Sequence, residues 1–330
     1  MTKIMQMPEL MGKINDLQPI VEWWWDNRHT TAGKAMLAAE KQDFSKLSVS
    51  LGGGVKPFYK SRQGSVAKTT HNAHITGWEQ VVTFLQAANF SRLVNLCPHS
   101  TPECREHCLG HTSGRMPQSN NRIAQRVRTT HLVQHTFGSL IIQLDEAERH
   151  AKRIHKCGKL YADRPNGDSD MPWEQAPWFL RLLHKAGVDQ LFDYTKDHGR
   201  LDSIEFLMLP SQSIRYYLAP SATEYTKPHD LRGGMVVVVD VGQNDPIPDT
   251  YGGFATIDGD WDNGDLRFLD DQDKLTLIRA KGSLKKVTGS WSSFCKPGVC
   301  KPEVGFLDDS TTLKGMKLTV LAESAVAVAG

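Results

Sequence analysis

The hydrophobic pattern changes character along the chain. Residues 1 to 89 are mixed: a Trp23-Trp24-Trp25 cluster, a Gly52-Gly53-Gly54 run and a polar, basic stretch from Lys56 to His71 define no clear domain. The tryptophans are most simply a packing anchor, with a base-stacking platform as the alternative. From residue 90 onward, short apolar runs alternate with helical periods. Leu93 to Leu96 reads as a strand ending at Cys97, and a helix is expected to start after Ser119 or Asn120 and run past Arg128. A second helix carries Leu140, Ile141, Leu144, Ala147, Ala151 and Ile154 near helical spacing, with Gly158 placed to end it. Lys159 to Ala162 is the next strand, Asn166 to Asp170 a turn, and a further helix begins near Pro172 and ends at Gly187.

Gln190 to Tyr194, Ile204 to Leu209 and Met235 to Val241 complete the series of short strands. Such alternation implies an α/β fold with a largely parallel sheet, open or closed into a partial or complete (β/α) barrel. The chain then divides into an N-terminal extension (1–89), an α/β core (90–285) and a C-terminal segment (286–330) whose Ala/Val-rich end, Leu318 to Gly330, carries no motif. In either architecture ligands bind at the carboxyl ends of the strands, where Cys97, Asp168 and Lys196 are expected to lie.

Composition narrows this picture only slightly. A chain of 330 residues with 39% hydrophobic content can bury a substantial core without staples. A net charge of +2 does not announce a nucleic-acid binder, so any basic surface is local. The most apolar stretch, Met235 to Val241, is far shorter than the roughly 20 residues that cross a bilayer, so no membrane span is expected. Three of the six cysteines are packed between positions 97 and 108, unlike the distributed framework of a small secreted protein, which favours a reducing, cytoplasmic compartment.

The outstanding chemistry is the run from Cys97 through Cys104 to Cys108, a C-x6-C-x3-C spacing directly after an expected strand. Thiolates from one short loop bind metal at small ordering cost, and three of them leave one coordination position open. On a four-iron cluster that position can take S-adenosylmethionine; on zinc it can take His99, His107, His111 or an activated water. Unrelated buried thiols and a purely structural metal knot are the bland alternatives. The following Gly110-to-Arg115 segment, with Gly110, Gly114 and Arg115, is small and polar enough for close backbone approach to a ligand.

Arg122, Arg126 and Arg128 make a basic stretch that could meet phosphate or simply be solvated. His131 and His135 have zinc-compatible spacing, but Leu132 stands where a zincin needs glutamate, so ordinary helix histidines are expected. In Gly167-Asp168-Ser169-Asp170 two carboxylates could orient a substrate, hold a divalent ion or act as a base, and Asp170 could equally cap a helix. Lys196 could pair with an anionic group or be a surface lysine. The acidic run from Asp258 to Asp265 lacks the closing glutamate of a calcium loop and reads as a polar turn, with Arg267 available to pair with an aspartate. Cys295 and Cys300 are a spaced pair that decides nothing alone.

At Cys97 to Arg115, at Gly167 to Asp170 with Trp173-Glu174, and at Asp193-Tyr194-Thr195-Lys196, the chain resembles the bacteriophage family named for gene product 88. Looser similarity through Asp258, Arg267 and Lys281 extends it over about residues 90 to 285. The resemblance implies a phage or mobile-element origin and a shared site, without supplying a reaction. The cysteine loop also resembles radical-SAM enzymes in placement, although their usual spacing is C-x3-C-x2-C. Together these features lead us to expect an iron–sulfur enzyme acting on a nucleotide or nucleic acid, with Asp168, Asp170 and Lys196 as catalytic residues, Gly110, Gly114, Arg115 and Gly167 around the ligand, and Cys97, Cys104 and Cys108 on the cluster. The alternatives are a zinc-stabilised nucleic-acid-binding protein and a metal-dependent nuclease.

Overall fold

A computed structural model describes residues 4–53, 68–72, 75–86, 92–112, 119–201, 216–223, 225–239, 241, 246–259 and 273–280. The expectations for Ile204 to Leu209, for Arg267 and the rest of the acidic run beyond Gly259, for Cys295 and Cys300, and for the C-terminal segment lie outside the described residues. So do Gly114 and Arg115.

Residues 7–50, for which the patterning defined no element, form three helices: α1 (Met7–Asp16), α2 (Gln18–Asn27) and α3 (Thr31–Ser50). Met7, Leu10, Met11 and Ile14 are the buried stripe of α1, at the i, i+3, i+4, i+7 spacing of an amphipathic helix. Thr30 caps α3, its hydroxyl accepting from the Gly33 N–H. Trp24 and Trp25 are buried, Trp24 donating to the Gly33 carbonyl at 3.0 Å, while Trp23 stays exposed. Two of the three tryptophans are thus the packing anchor expected of them.

Next come β1 (Lys68–Asn72), β2 (Ile75–Val82), two short helices α4 (Pro102–Glu106) and α5 (Leu109–Thr112), and the long pair α6 (Ser119–Gln134) and α7 (Thr136–Lys156). Leu93 to Leu96 makes no strand; Val94 forms a single parallel bridge to Met5, the segment being taken up instead by the loop contacts described below. Gly158 turns the chain out of α7 with a positive φ of 67°, as its position predicted. Then follow β3 (Leu160–Arg164), a 3-10 turn (Trp173–Gln175), α8 (Pro177–Lys185), β4 (Gln190–Thr195), β5 (Tyr216–Pro220), β6 (Val236–Val239), β7 (Thr250–Tyr251), β8 (Phe254–Asp258) and β9 (Leu275–Arg279). The helix expected from Pro172 begins only at Pro177, because the preceding residues turn tightly to aim Glu174 inward.

Chain contacts define two compact units, Met1–Ser100 with Gly114–Asp193 and His198–Leu218, and Thr101–Ser113 with Tyr194–Asp197 and Ala219–Gly330. The first is built on the five-stranded sheet, ordered β1-β2-β3-β4-β5, in which β2, β3 and β4 run parallel and β1 is antiparallel. Among the described residues this sheet ends at β1 and β5, a partial rather than a closed barrel. Its core joins β3, β4, α7 and α8 to all three N-terminal helices through Leu10, Trp24, Phe44, Leu144, Tyr161, Phe179 and Leu191. The second unit carries a four-stranded sheet, β6-β9-β8-β7, parallel except for β7, around Met235, Val237, Val239, Leu275 and Leu277. The fold is therefore α/β with largely parallel sheets.

Candidate active site

In the first unit, the carboxyl ends of β2 and β3 are tied together by backbone. The Thr83 N–H donates to the Arg164 carbonyl at 3.0 Å, and the Gly167 N–H donates to Thr83 at 2.7 Å. Gly167 is required by this packing: a Cβ there would stand 2.6 Å from both the Thr83 carbonyl and the Phe84 ring. Its role is close approach of two chain segments. The segment after β2 in turn receives α6, whose Arg128 Nε donates to the Phe84 carbonyl at 2.7 Å and whose Thr129 hydroxyl accepts from the Gln86 N–H at 2.7 Å.

Asp168 sits in the turn that follows β3. Gln125 of α6 donates to its Oδ2 at 2.8 Å, and its Oδ1 is enclosed with no hydrogen-bond partner. Burial pushes the carboxyl up to about 7, although Arg128, Arg164 and the backbone N–H of Leu85 pull the other way. The thiol of Cys97 donates to the Asp168 carbonyl at 3.3 Å, and the Asp170 N–H donates to Leu96 at 2.8 Å, so the entry to the cysteine loop lies against this turn.

The turn is held by Asn166 and Asp193, neither of which the motif reading singled out as a site residue. Asp193, fully buried near the end of β4, accepts from the Asn166 N–H at 3.0 Å, from Asn166 Nδ2 at 2.9 Å and from the Tyr216 hydroxyl at 3.1 Å. Asn166 Oδ1 accepts from the Ser169 hydroxyl and the Met171 N–H. Burial raises the Asp193 carboxyl to about 7 despite Arg164 and these donors, and it raises the Tyr216 hydroxyl well above its ordinary range. The available signal was the placement of Asp163 and Asp193 inside apolar strands, where an unpaired carboxylate is costly.

Asp170 has a different fate from Asp168. It pairs with the buried Arg200, which also donates to Glu174 at 2.7 Å and 2.8 Å and to the Met171 carbonyl at 3.1 Å. Asp170 therefore belongs to an ion cluster with every partner in place, and it caps no helix. Arg128, expected among surface cations, is buried, while Arg122 and Arg126 are exposed on the outer face of α6. His131, on α6, is fully buried against Ser139 and stacked at 5.1 Å on His135, which lies at the break between α6 and α7 rather than within a helix.

In the second unit, Cys104 lies on α4 and Cys108 just after it, Gly110 is buried in α5, and Lys196 follows β4 with its Nζ donating to the Ala222 carbonyl at 3.4 Å. Asp258 at the end of β8 pairs with Arg279 at 2.7 Å. Among the described residues no three His, Cys, Asp or Glu side chains are gathered as a metal site requires. No helix among the described residues is long and apolar enough to cross a membrane.

The fold and site define an α/β protein with a buried polar cluster at the carboxyl ends of parallel strands. The chain belongs to the Gene product 88 family, whose model matches residues 58–297, a span that contains the whole β2-to-β4 cluster and the cysteine loop. No curated protein and no solved structure matches it.

Proposed function

We propose that this protein is an enzyme acting on a nucleotide or nucleic acid, with Asp168 as the group that moves a proton. One observation carries the reading: a carboxyl at the carboxyl ends of parallel strands has one oxygen anchored by Gln125 and the other enclosed and uncommitted. A structural carboxylate such as Asp170 has its partners in place; Asp168 keeps a position for a substrate hydrogen. The exposed Arg122 and Arg126, on the helix that supplies Gln125, support a polyanionic substrate. The host-cell cytoplasm, where thiols stay reduced, is the compartment this reading assigns.

The experiment is an incubation of wild-type protein and Asp168→Asn with labelled DNA, RNA and nucleotides, with and without divalent ions and oxygen. We expect a product from the wild type and, because general acid–base groups contribute about 10²–10⁴-fold, a loss of at least about 100-fold in the variant. Equal turnover by both proteins, or none by either, ends the proposal.

A second reading keeps Cys97, Cys104 and Cys108 as ligands of an iron–sulfur cluster, with S-adenosylmethionine at the open position, or of zinc. Their spacing and the contact of Cys97 with the Asp168 turn favour it. Gly110 would then flank the centre and Lys196 hold an anionic group. Elemental analysis of anaerobically isolated protein tests this reading independently of turnover.

A further inference from the structure

Among the described residues of the first unit two arginines are buried, and their surroundings differ. Arg200 has its fork filled by Asp170, Glu174 and the Met171 carbonyl. Arg128 is only 4% exposed, yet the described residues give it one hydrogen bond, from Nε to Phe84. A guanidinium carries five N–H donors, so four of them meet no protein acceptor there. Asp168 and Glu146 act on its charge from beyond ion-pair distance, and burial lowers its pKa only to about 10, so it is a cation at neutral pH.

A fixed, desolvated guanidinium with its outer edge uncommitted is complementary to an oxyanion that can accept two parallel N–H bonds. We propose that Arg128 is the anion-binding residue of this site and that the anion is a phosphate of the substrate. The inference rests on reading the site as that of a nucleotide or nucleic-acid enzyme, and it names the atoms that hold the substrate. Phosphate is favoured over carboxylate because Arg122 and Arg126 line the exposed face of the same helix, a pattern suited to a ligand carrying several charges. Phe84 acts through Arg128: its carbonyl fixes Nε and leaves the Nη edge to the ligand.

The test uses the full-length protein labelled with ¹⁵N at arginine side chains, titrated with inorganic phosphate, pyrophosphate, a nucleoside triphosphate and a short oligonucleotide. Acetate and chloride at equal ionic strength are the controls. We expect saturable shifts of the guanidinium resonance that disappears in Arg128→Lys, and at least tenfold weaker binding in that variant. Saturation by the triphosphate alone assigns the phosphate to a nucleotide, and by the oligonucleotide alone to a nucleic-acid backbone. Absence of any shift, an equal response to acetate, or undiminished binding by Arg128→Lys overturns the inference. Because Asp168→Asn is expected to bind phosphate at least as well as the wild type, the two readings separate. Turnover that needs Asp168 without phosphate binding overturns only the Arg128 assignment, and phosphate binding without Asp168-dependent turnover overturns only the acid–base role.

Discussion

The Cys97 thiol reaches the backbone carbonyl of Asp168 at 3.3 Å, joining positions 71 residues apart. With the Asp170 N–H on Leu96, it fastens the start of the cysteine loop to the acidic turn after β3. A thiol is a weak donor, so Cys97→Ala is expected to cost no more than about 1 kcal/mol of stability. It should nonetheless speed hydrogen exchange at residues 168 to 170. Unchanged exchange there would show that the backbone bond alone holds the turn.

Arg200 is the cation between two buried carboxylates. Arg200→Met leaves Asp170 and Glu174 facing each other without it, and we expect a loss of about 3–5 kcal/mol, the size seen when one partner of a buried ion group is removed. Denaturant unfolding at pH 7 measures it. A loss below about 1 kcal/mol would mean that water compensates the pair.

Asp193 makes stability depend on pH in a direction opposite to that of a paired surface carboxylate. Its folded pKa, raised to about 7 by burial, lies above an unfolded value of about 3.9. The folded state therefore holds its proton more tightly, so the stabilisation is fully present below pH ~3.9 and is lost as pH rises through about 7. Asp193→Asn should cost about 1–2 kcal/mol at pH 5, through weaker acceptance from Asn166 and Tyr216, and distinctly less at pH 8. Thermal unfolding at both pH values checks this, and a constant difference would refute it.

His131 has the reverse sign. Burial first, and the neighbouring His135 second, depress its pKa to about 3, so the folded state prefers the neutral ring. That stability is present above the unfolded value of about 6.5 and is lost as pH falls toward 3. His131→Gln should flatten this acid limb, as acid titration of the unfolding free energy will reveal.

Two glycines respond differently to a methyl group. Gly167→Ala drives a Cβ against the Thr83 carbonyl and the Phe84 ring, and about 1–3 kcal/mol of destabilisation is expected. Gly138→Ala, in the first turn of α7, meets only the flexible Glu40 side chain, which can swing away, so a change between no effect and a gain of about 0.5 kcal/mol is expected. Comparing the two melting temperatures decides whether the packing differs as described.

Local pattern alone was enough for α6, α7, β3, β4 and β6, because apolar residues at period 3.6 or in short runs have only one way to be covered, and for the exit from α7 at Gly158. It also placed Asp168 in a turn after a strand. Helix α1 was legible in principle, through the stripe from Met7 to Ile14, but helices that close on distant partners offer no nearby element to complete the pattern. The partners of Asp168 were beyond reach: Gln125 and Cys97 come from 43 and 71 positions away, and nothing local says that they meet. Spacing likewise grouped Arg128 with Arg122 and Arg126 and Asp168 with Asp170, whereas burial separates each set into an exposed or uncommitted member and a buried or paired one. Periodicity is a property of neighbours in the chain, and so the sequence by itself determined α6, α7, β3, β4, β6 and the α/β class, but not the three N-terminal helices. The charge state and availability of a polar group depend on which remote atoms exclude water from it, and that only the tertiary structure decided.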